Sequence, residues 1–313
     1  MNFTKINLMQ KIVSAILLFV SFIQLQAQTG MPFDELIYGR KDGTGLTMLQ
    51  LKPTSKSNGK AIILVVAGAW NSSYYQAKAA VDEMKDLYSY KGFTVFEVIV
   101  GSQVRFAIDE QIEDVKRAVR YIRYNAKKLG IDPDHIGITG YSAGGHLALT
   151  IATADEKIDT KADDPIDQVS SRVQAAAVLF PPTNFLDWGG NGFNLINVRD
   201  LQRQSQVYGA FDFRKWNDSA RTYDPISDTA ARNEIGKSIS PFYSVSQDDP
   251  PVFIIHGDAD NVVPLQQSES IIAKFKQVGV ITNFIIKKGI KHNVKDMYPE
   301  IKQFTDWFNK YLK

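Results

Sequence analysis

Gly140, Tyr141, Ser142, Ala143 and Gly144 set a serine between two glycines in the pattern G-x-S-x-G. The pentapeptide follows the apolar run HIGIT and precedes Gly145, His146, Leu147 and Ala148, a good helix opening. A serine on such a strand–turn–helix junction stands above the sheet edge, and the glycines let strand and helix approach without a Cβ clash. The chemistry this allows is nucleophilic attack by the Ser142 hydroxyl. It requires a base to take the proton and a carboxylate to orient the base.

Only four histidines are available. His135 begins the strand before the elbow and reads as a solvent-edge residue. His146 lies on the helix after Ser142, with its ring directed away from the hydroxyl, and His256 ends an apolar strand and anchors the following turn. His292, in Gly289-Ile290-Lys291-His292-Asn293 after the last strand, is the expected base. The carboxylate is expected from Gly257-Asp258-Ala259-Asp260-Asn261-Val262-Val263-Pro264. Asp258 and Asp260 compete. Asp258 suits an Asx-type turn, whereas Asp260 lies deeper in the loop and can reach Nδ1 of His292. The order Ser142, Asp260, His292 is the one a G-x-S-x-G hydrolase uses. Charge developing on a substrate oxygen needs backbone N–H donors. Ala143, after the nucleophile, is one. Gly68 and Ala69, in the loop Val66-Ala67-Gly68-Ala69-Trp70, are the others expected.

The elements that must hold these residues follow from the apolar pattern. Ala61 to Val66, Thr94 to Val100, Ile136 to Thr139, Ala175 to Phe180, Pro251 to His256 and Thr282 to Ile286 read as strands. Unbroken apolar runs of this kind suit a mostly parallel sheet covered on both faces by helices. A helix is expected over about Phe106 to Leu129. Its apolar stripe is Ile108, Ile112, Val115, Val119, Ile122, Ala126 and Leu129, with Glu113 facing Arg117 and Gly130 terminating it. A last helix carries Ile301, Phe304, Trp307, Phe308 and Tyr311. About residues 181–250 break the alternation with Asp, Asn, Ser and Gly among aromatic residues. They read as an insertion with short helices of its own over the strand ends, since a structureless loop of that length is improbable.

The 313 residues, 44% apolar and 22% charged, suit one large core and exclude disorder for the bulk of the chain. The segment Ile12 to Ile23 is almost wholly apolar, follows Lys5 and Lys11, and leads to the small residue Ala27. Residues 1–27 read as a secretory signal peptide, which leaves 28–313 as a single domain that is exported, periplasmic or secreted. Without Lys5 and Lys11, basic and acidic residues number 34 each, so no footprint for nucleic acid remains. No basic cluster marks a membrane surface after cleavage. Cysteine is absent, which excludes disulfides and thiolate metal sites. The pairs Asp163/Asp164 and Asp248/Asp249 lack the spacing of a calcium loop and read as solvated turns. No glycine-rich phosphate cradle is present either, so neither a metal nor a cofactor is expected.

With these residues in place, the chain resembles the α/β-hydrolase superfamily over nearly all of residues 28–313. More narrowly, it resembles the acetylxylan/feruloyl esterase-like carbohydrate esterases. The stretches QIEDVKRAVRYIR, LGIDPDHIGITGYSAGGHLA and SPFYSVSQDDPPVFIIHGDADNVVP carry the resemblance. It implies an α/β-hydrolase fold with the insertion between the sixth and seventh strands. It also implies a serine esterase acting on an acylated carbohydrate or other small ester, with Ser142, Asp260 and His292 as catalytic residues and Gly68, Ala69 and Ala143 as oxyanion donors. Relatives carry H-G-G-[GA]-W in the first loop, and Val66 and Ala67 replace the His and first Gly, removing that loop's usual brace. An amidase or peptidase shares the fold. Prolyl-oligopeptidase relatives, however, place Tyr after the serine and add a propeller this chain is too short to hold. An arylformamidase-like amidase is a nearer alternative, and a catalytically weak binding relative is a third, favoured by the altered loop. Oligomeric state is open.

Overall fold

A computed structural model describes residues 31–156 and 158–313, so the expected signal peptide lies outside the described residues. Eight strands form one sheet: β1 (Asp34–Lys41), β2 (Thr44–Leu51), β3 (Ala61–Val66), β4 (Thr94–Ile99), β5 (Ile136–Tyr141), β6 (Ala175–Leu179), β9 (Val252–Gly257) and β10 (Thr282–Lys287). Their order is β1-β2-β4-β3-β5-β6-β9-β10. β2 runs antiparallel to β4, and every pairing from β4 to β10 is parallel. Strands β3, β4, β6 and β9 are buried along their whole length, as unbroken apolar runs in a doubly covered sheet require. β1 and β2 were not expected from the sequence. They meet at a two-residue turn, Asp42-Gly43, with positive φ at both positions, the hairpin turn whose twist matches the strands.

Helices cover both faces. α1 (Tyr74–Leu87) starts at Ser73, whose side chain accepts the Gln76 N–H, and buries Ala77, Val81, Met84 and Leu87. α2 (Ile108–Tyr124) buries Ile108, Ile112, Val115, Val119 and Ile122 of the expected stripe, then breaks at Asn125. A separate turn, Ala126–Leu129, ends at Gly130 with φ 71°. The expected Glu113–Arg117 pair does not form. Glu113 pairs with Lys116 at 2.7 Å, while Arg117 reaches Asp164 at 2.6 Å and Asp167 at 2.9 Å. Two carboxylates from another segment outcompete one on the same helix, where an i,i+4 pair is worth only a few tenths of a kcal/mol. α3 (Ala143–Ala152) follows the elbow and is buried throughout.

The insertion lies between β6 and β9, the sixth and seventh strands of the main sheet. It holds short helical turns, α4 (Thr229–Ser238) and a small hairpin of β7 (Arg214–Asn217) and β8 (Thr222–Pro225), which was not expected. Phe185, Phe211 and Phe213 are buried, whereas Phe193, Trp216 and Tyr223 are exposed. Arg232 of α4 is buried. Its guanidinium donates to the carbonyls of Ile196, Phe211 and Ile226, which pins three stretches of the insertion to one charge. α5 (Gln266–Gln277) follows β9, and its Gln267 accepts from the amides of Thr183 and Asn184, fastening the start of the insertion to the sheet layer. α6 (Gln303–Tyr311) closes the chain. Residues Glu35–Lys313 make one compact unit.

Candidate active site

Ser142 sits at the junction of β5 and α3 with φ 53° and ψ −121°, a conformation an L-residue rarely adopts. Packing enforces this strain. A Cβ on Gly140 would lie 2.3 Å from the Gly144 carbonyl oxygen, and one on Gly144 would lie 2.3 Å from that of Val65. Both glycines are therefore required by close backbone approach. The Ser142 amide donates to Leu179 O at 3.0 Å and the Gly144 amide to Ala67 O at 3.0 Å, so the elbow is tied to β6 and to the first loop. The hydroxyl points out of the turn toward the loop after β10.

There His292 Nε2 lies 2.9 Å from Ser142 Oγ, and His292 Nδ1 lies 2.6 Å from Asp260 Oδ2. The three residues chosen from sequence come together in one hydrogen-bonded line. The Phe180 ring packs on the imidazole with centroids 4.1 Å apart, which fixes the tilt of the base. The two candidate aspartates divide their work differently from the sequence expectation. Asp260 itself makes the Asx-type turn, its Oδ1 accepting from the amides of Val262 and Val263 at 2.9 Å each. That leaves Oδ2 for His292. Asp258 Oδ1 instead accepts from the Gly289 amide at 2.5 Å, tethering the loop that carries His292. Burial alone would raise the Asp260 carboxyl, but hydrogen bonds from His256, His292 and the two amides outweigh it and hold Asp260 well below its ordinary range. It is a fixed anion, suited to stabilising an imidazolium.

His256 anchors this turn, as the sequence suggests. Its Nε2 donates to Val263 O at 3.0 Å and lies 3.3 Å from Asp260 Oδ2, and its Nδ1 accepts from Ser268 Oγ at 2.7 Å. His135 pairs with Asp132 at 3.2 Å, away from Ser142.

The oxyanion donors need one correction. Gly68 is not free to donate: its amide goes to Asn71 O at 2.9 Å, and the Asn71 amide returns to Gly68 O at 2.9 Å. The stretch Gly68–Asn71 is a tight turn with φ 48° at Ala69 and φ 57° at Trp70, angles usually left to Asn and Gly. Because N–H and C=O of one trans peptide point opposite ways, fixing Gly68 O inside the turn directs the Ala69 N–H outward. Among the described residues, neither the Ala69 nor the Ala143 amide has an acceptor in the protein. Ala69, Gly68 and Ser142 border one cavity of 610 Å³ that also includes His292. Ala69 and Ala143 are thus the two available donors.

Residues the sequence reading did not single out hold this strained turn. Gln103 Nε2 donates to Ala69 O at 2.7 Å, and Gln111 Nε2 donates to Trp70 O at 3.0 Å. The Trp70 indole N–H donates to His146 Nδ1 at 3.2 Å, and His146 Nε2 donates to Ile239 O at 2.6 Å. Burial pushes His146 down to about 4, so it stays neutral, as accepting at Nδ1 requires. Ser72 Oγ donates to Val66 O at 2.5 Å and accepts from the Val100 amide. The loop lacks the histidine expected as its brace, but it is held by two glutamines, a serine and the Trp70–His146 pair. Among the described residues, no cluster of His, Cys, Asp and Glu could hold a metal ion.

A doubly covered, mostly parallel sheet with a serine at the elbow after β5, an acid after β9 and a histidine after β10 defines the α/β-hydrolase fold. The sequence matches the BD-FAE family over residues 48–275, and the chain belongs to that family. Esterase LipQ of Mycobacterium tuberculosis is 27% identical over 238 residues, covering 75% of this chain and 50% of LipQ. An isoprenylcysteine alpha-carbonyl methylesterase of Arabidopsis thaliana is 21% identical, covering 82% of this chain and 55% of its own. The chain spans about half the length of these curated relatives. Among solved structures, a truncated carbohydrate esterase from gut microbiota is similar with TM-score 0.69 and 27% identity, covering 91% of this chain and 98% of that one. The thermophilic esterase Est2 of Thermogutta terrifontis shares the fold with TM-score 0.68 and 21% identity, covering 89% and 93%.

Proposed function

We propose that this chain is an exported serine carboxylesterase that hydrolyses acetyl or feruloyl esters of plant polysaccharide such as xylan, through an acyl-enzyme on Ser142. The observation that carries the reading is the line from Asp260 Oδ2 through His292 to Ser142 Oγ, with contacts of 2.6 and 2.9 Å. His292 Nε2 takes the hydroxyl proton as Oγ bonds to the ester carbon, and the Ala69 and Ala143 amides stabilise the carbonyl oxygen as it becomes an oxyanion. Collapse breaks the bond to the alcohol, which leaves with the proton held by His292. A water molecule then repeats the sequence, releasing the acid and restoring Ser142.

Ester chemistry draws support from LipQ and the gut carbohydrate esterase, each 27% identical to this chain and each named as an esterase. The carbohydrate substrate draws support from the second alone. Export rests on the basic and apolar pattern of residues 1–27. The deciding experiment is acetate release from acetylated xylan by the purified protein beside its Ser142→Ala variant. Release that vanishes with Ser142 supports nucleophile and substrate class together, and no release from either overturns the acetylxylan reading.

A further inference from the structure

The cavity at Ser142 is walled by the ends of β3 and β5, by Gln76, Ala80 and Glu83 of α1, and by the segment after His292. Leu64, Val65 and Val66 make much of its surface apolar. Its polar side chains away from the nucleophile are Gln76, Lys295 and Glu83, and Glu83 is the carboxyl among them. Tyr141, adjacent to Ser142 in the chain, donates its hydroxyl to Glu83 Oε1 at 2.9 Å. Glu83 therefore stands one tyrosine side chain and one hydrogen bond from the residue beside the nucleophile. Tyr298 donates to Asp86 at 2.6 Å, joining the segment after His292 to the C-terminal end of α1.

Behind this wall acceptors outnumber donors. Glu97 of β4 is cross-strand partner of Leu64 and so lies on the same face of the sheet as that cavity residue. It is fully buried, and neither carboxyl oxygen has a hydrogen-bond partner among the described residues. Glu83 is near enough to raise it further. Tyr141 supplies the single hydroxyl donated to Glu83, and no cation offsets that carboxyl among the described residues. A carboxyl in an apolar slot with unused acceptor capacity favours a ligand that brings a donor.

We propose that Glu83 sets the acyl preference of this site, so that the slot takes acyl groups whose far end carries a hydrogen-bond donor such as a hydroxyl. The inference rests on the ester-hydrolysis reading above. The acyl group is the part that enters, because a polymeric alcohol is too large for a cavity of 610 Å³. An acyl chain entering past Ser142 meets Leu64 and Val66 along its length and Glu83 at its end.

The test compares 4-nitrophenyl 3-(4-hydroxyphenyl)propionate with 4-nitrophenyl 3-phenylpropionate, substrates that differ by one hydroxyl, on the full chain. Active sites are counted by mass after an organophosphate labels Ser142. The wild type is expected to favour the hydroxylated ester by about tenfold in kcat/KM, the effect of one hydrogen bond to a charged acceptor. Glu83→Leu is expected to bring the ratio near unity. Tyr141→Phe removes the donor that competes for Glu83, so the ratio is expected to stay or rise. A wild-type ratio near one, or a preference that survives Glu83→Leu, overturns the inference while leaving ester hydrolysis standing. A Tyr141→Phe variant that loses the preference along with Glu83→Leu overturns it in favour of a structural role. Failure to cleave these esters or 4-nitrophenyl acetate overturns the esterase reading itself.

Discussion

The indole N–H of Trp70 donates to Nδ1 of His146 across 3.2 Å, inside a cage formed with Phe185 and Phe211. Trp70 belongs to the strained turn beside the nucleophile, His146 to the helix that follows Ser142, and Ile239, which receives the other imidazole nitrogen, to the insertion. One neutral imidazole thus joins three segments far apart in sequence. The strain of two consecutive non-glycine residues at positive φ, about 1–2 kcal/mol each, persists only where surrounding contacts fix it.

Replacing His146 with Phe keeps the ring and removes both hydrogen bonds. The buried Trp70 N–H and Ile239 carbonyl then lose partners, at a cost of about 1–3 kcal/mol each. If the pair positions the Ala69 amide, kcat is expected to fall by about tenfold or more with little change in KM. Steady-state kinetics of His146→Phe, Trp70→Phe and the double variant check this. Coupling between the two changes is the signature of a shared role. The same variant alters acid stability. Folded His146 titrates at about 4 against an ordinary 6.5, so its contribution to stability is complete above 6.5 and is lost as pH falls toward 4. His146→Phe is expected to flatten that part of the curve in chemical denaturation.

Asp260→Asn puts an amide where Oδ2 accepts from His292, with His256 3.3 Å away. Whichever way the amide turns, Asn cannot serve both the two backbone N–H groups and the His292 N–H as well as the carboxylate does. A fall in kcat of the order of 10⁴-fold is expected, as when a buried triad carboxylate loses its charge. Asp258→Asn keeps an oxygen for the Gly289 amide and is expected to cost far less. Comparing the two variants in one assay separates the aspartate that orients the base from the one that tethers its loop.

The elbow glycines form a graded series. Alanine at Gly140 or Gly144 brings a Cβ to 2.3 Å from a carbonyl oxygen, whereas at Gly145 the nearest backbone contacts are 3.0 and 3.1 Å. Gly140→Ala and Gly144→Ala are expected to lower the midpoint of thermal unfolding by several degrees or to prevent soluble folding. Gly145→Ala is expected to lower it less. Equal midpoints for all three would contradict the packing argument.

The grouping of Ser142, Asp260 and His292 was legible because each sits where a parallel strand ends, and each of those strands carries apolar residues enough to be read from the sequence. Ser142, Asp260 and His292 follow β5, β9 and β10, and chain order then assigns their places. The first loop was less legible. Its glycine pointed to close backbone approach, but a turn that spends the Gly68 amide on Asn71 depends on Gln103, Gln111 and His146, whose contacts with it span 34 to 76 residues of sequence. No local pattern signals that polar side chains at such separations converge. β1 was hidden for a different reason: in DELIYGRK charged residues flank the few apolar ones, and only Tyr38 is fully buried, so no apolar run forms. Within the insertion, the exposed residues of β7 and β8 are equally silent.

Glu97 stands in the middle of a central strand, where an ionised carboxylate has neither solvent nor partner. Burial first, and the Glu83 carboxyl second, push it from an ordinary 4.5 up to about 8. Between those values the folded chain holds a proton that the unfolded chain has released. The unfolded state therefore binds fewer protons, and stability falls as pH rises through that window before levelling off above about 8. The full difference is of the order of a few kcal/mol. Glu97→Gln keeps the shape and cannot ionise. It is expected to match the wild type near pH 4.5 and to exceed it by that margin at pH 9, measured as denaturation midpoints at both values. A variant that gains nothing at pH 9 would mean that Glu97 finds a partner in solution, most simply a water molecule admitted along the cavity that begins at Ser142.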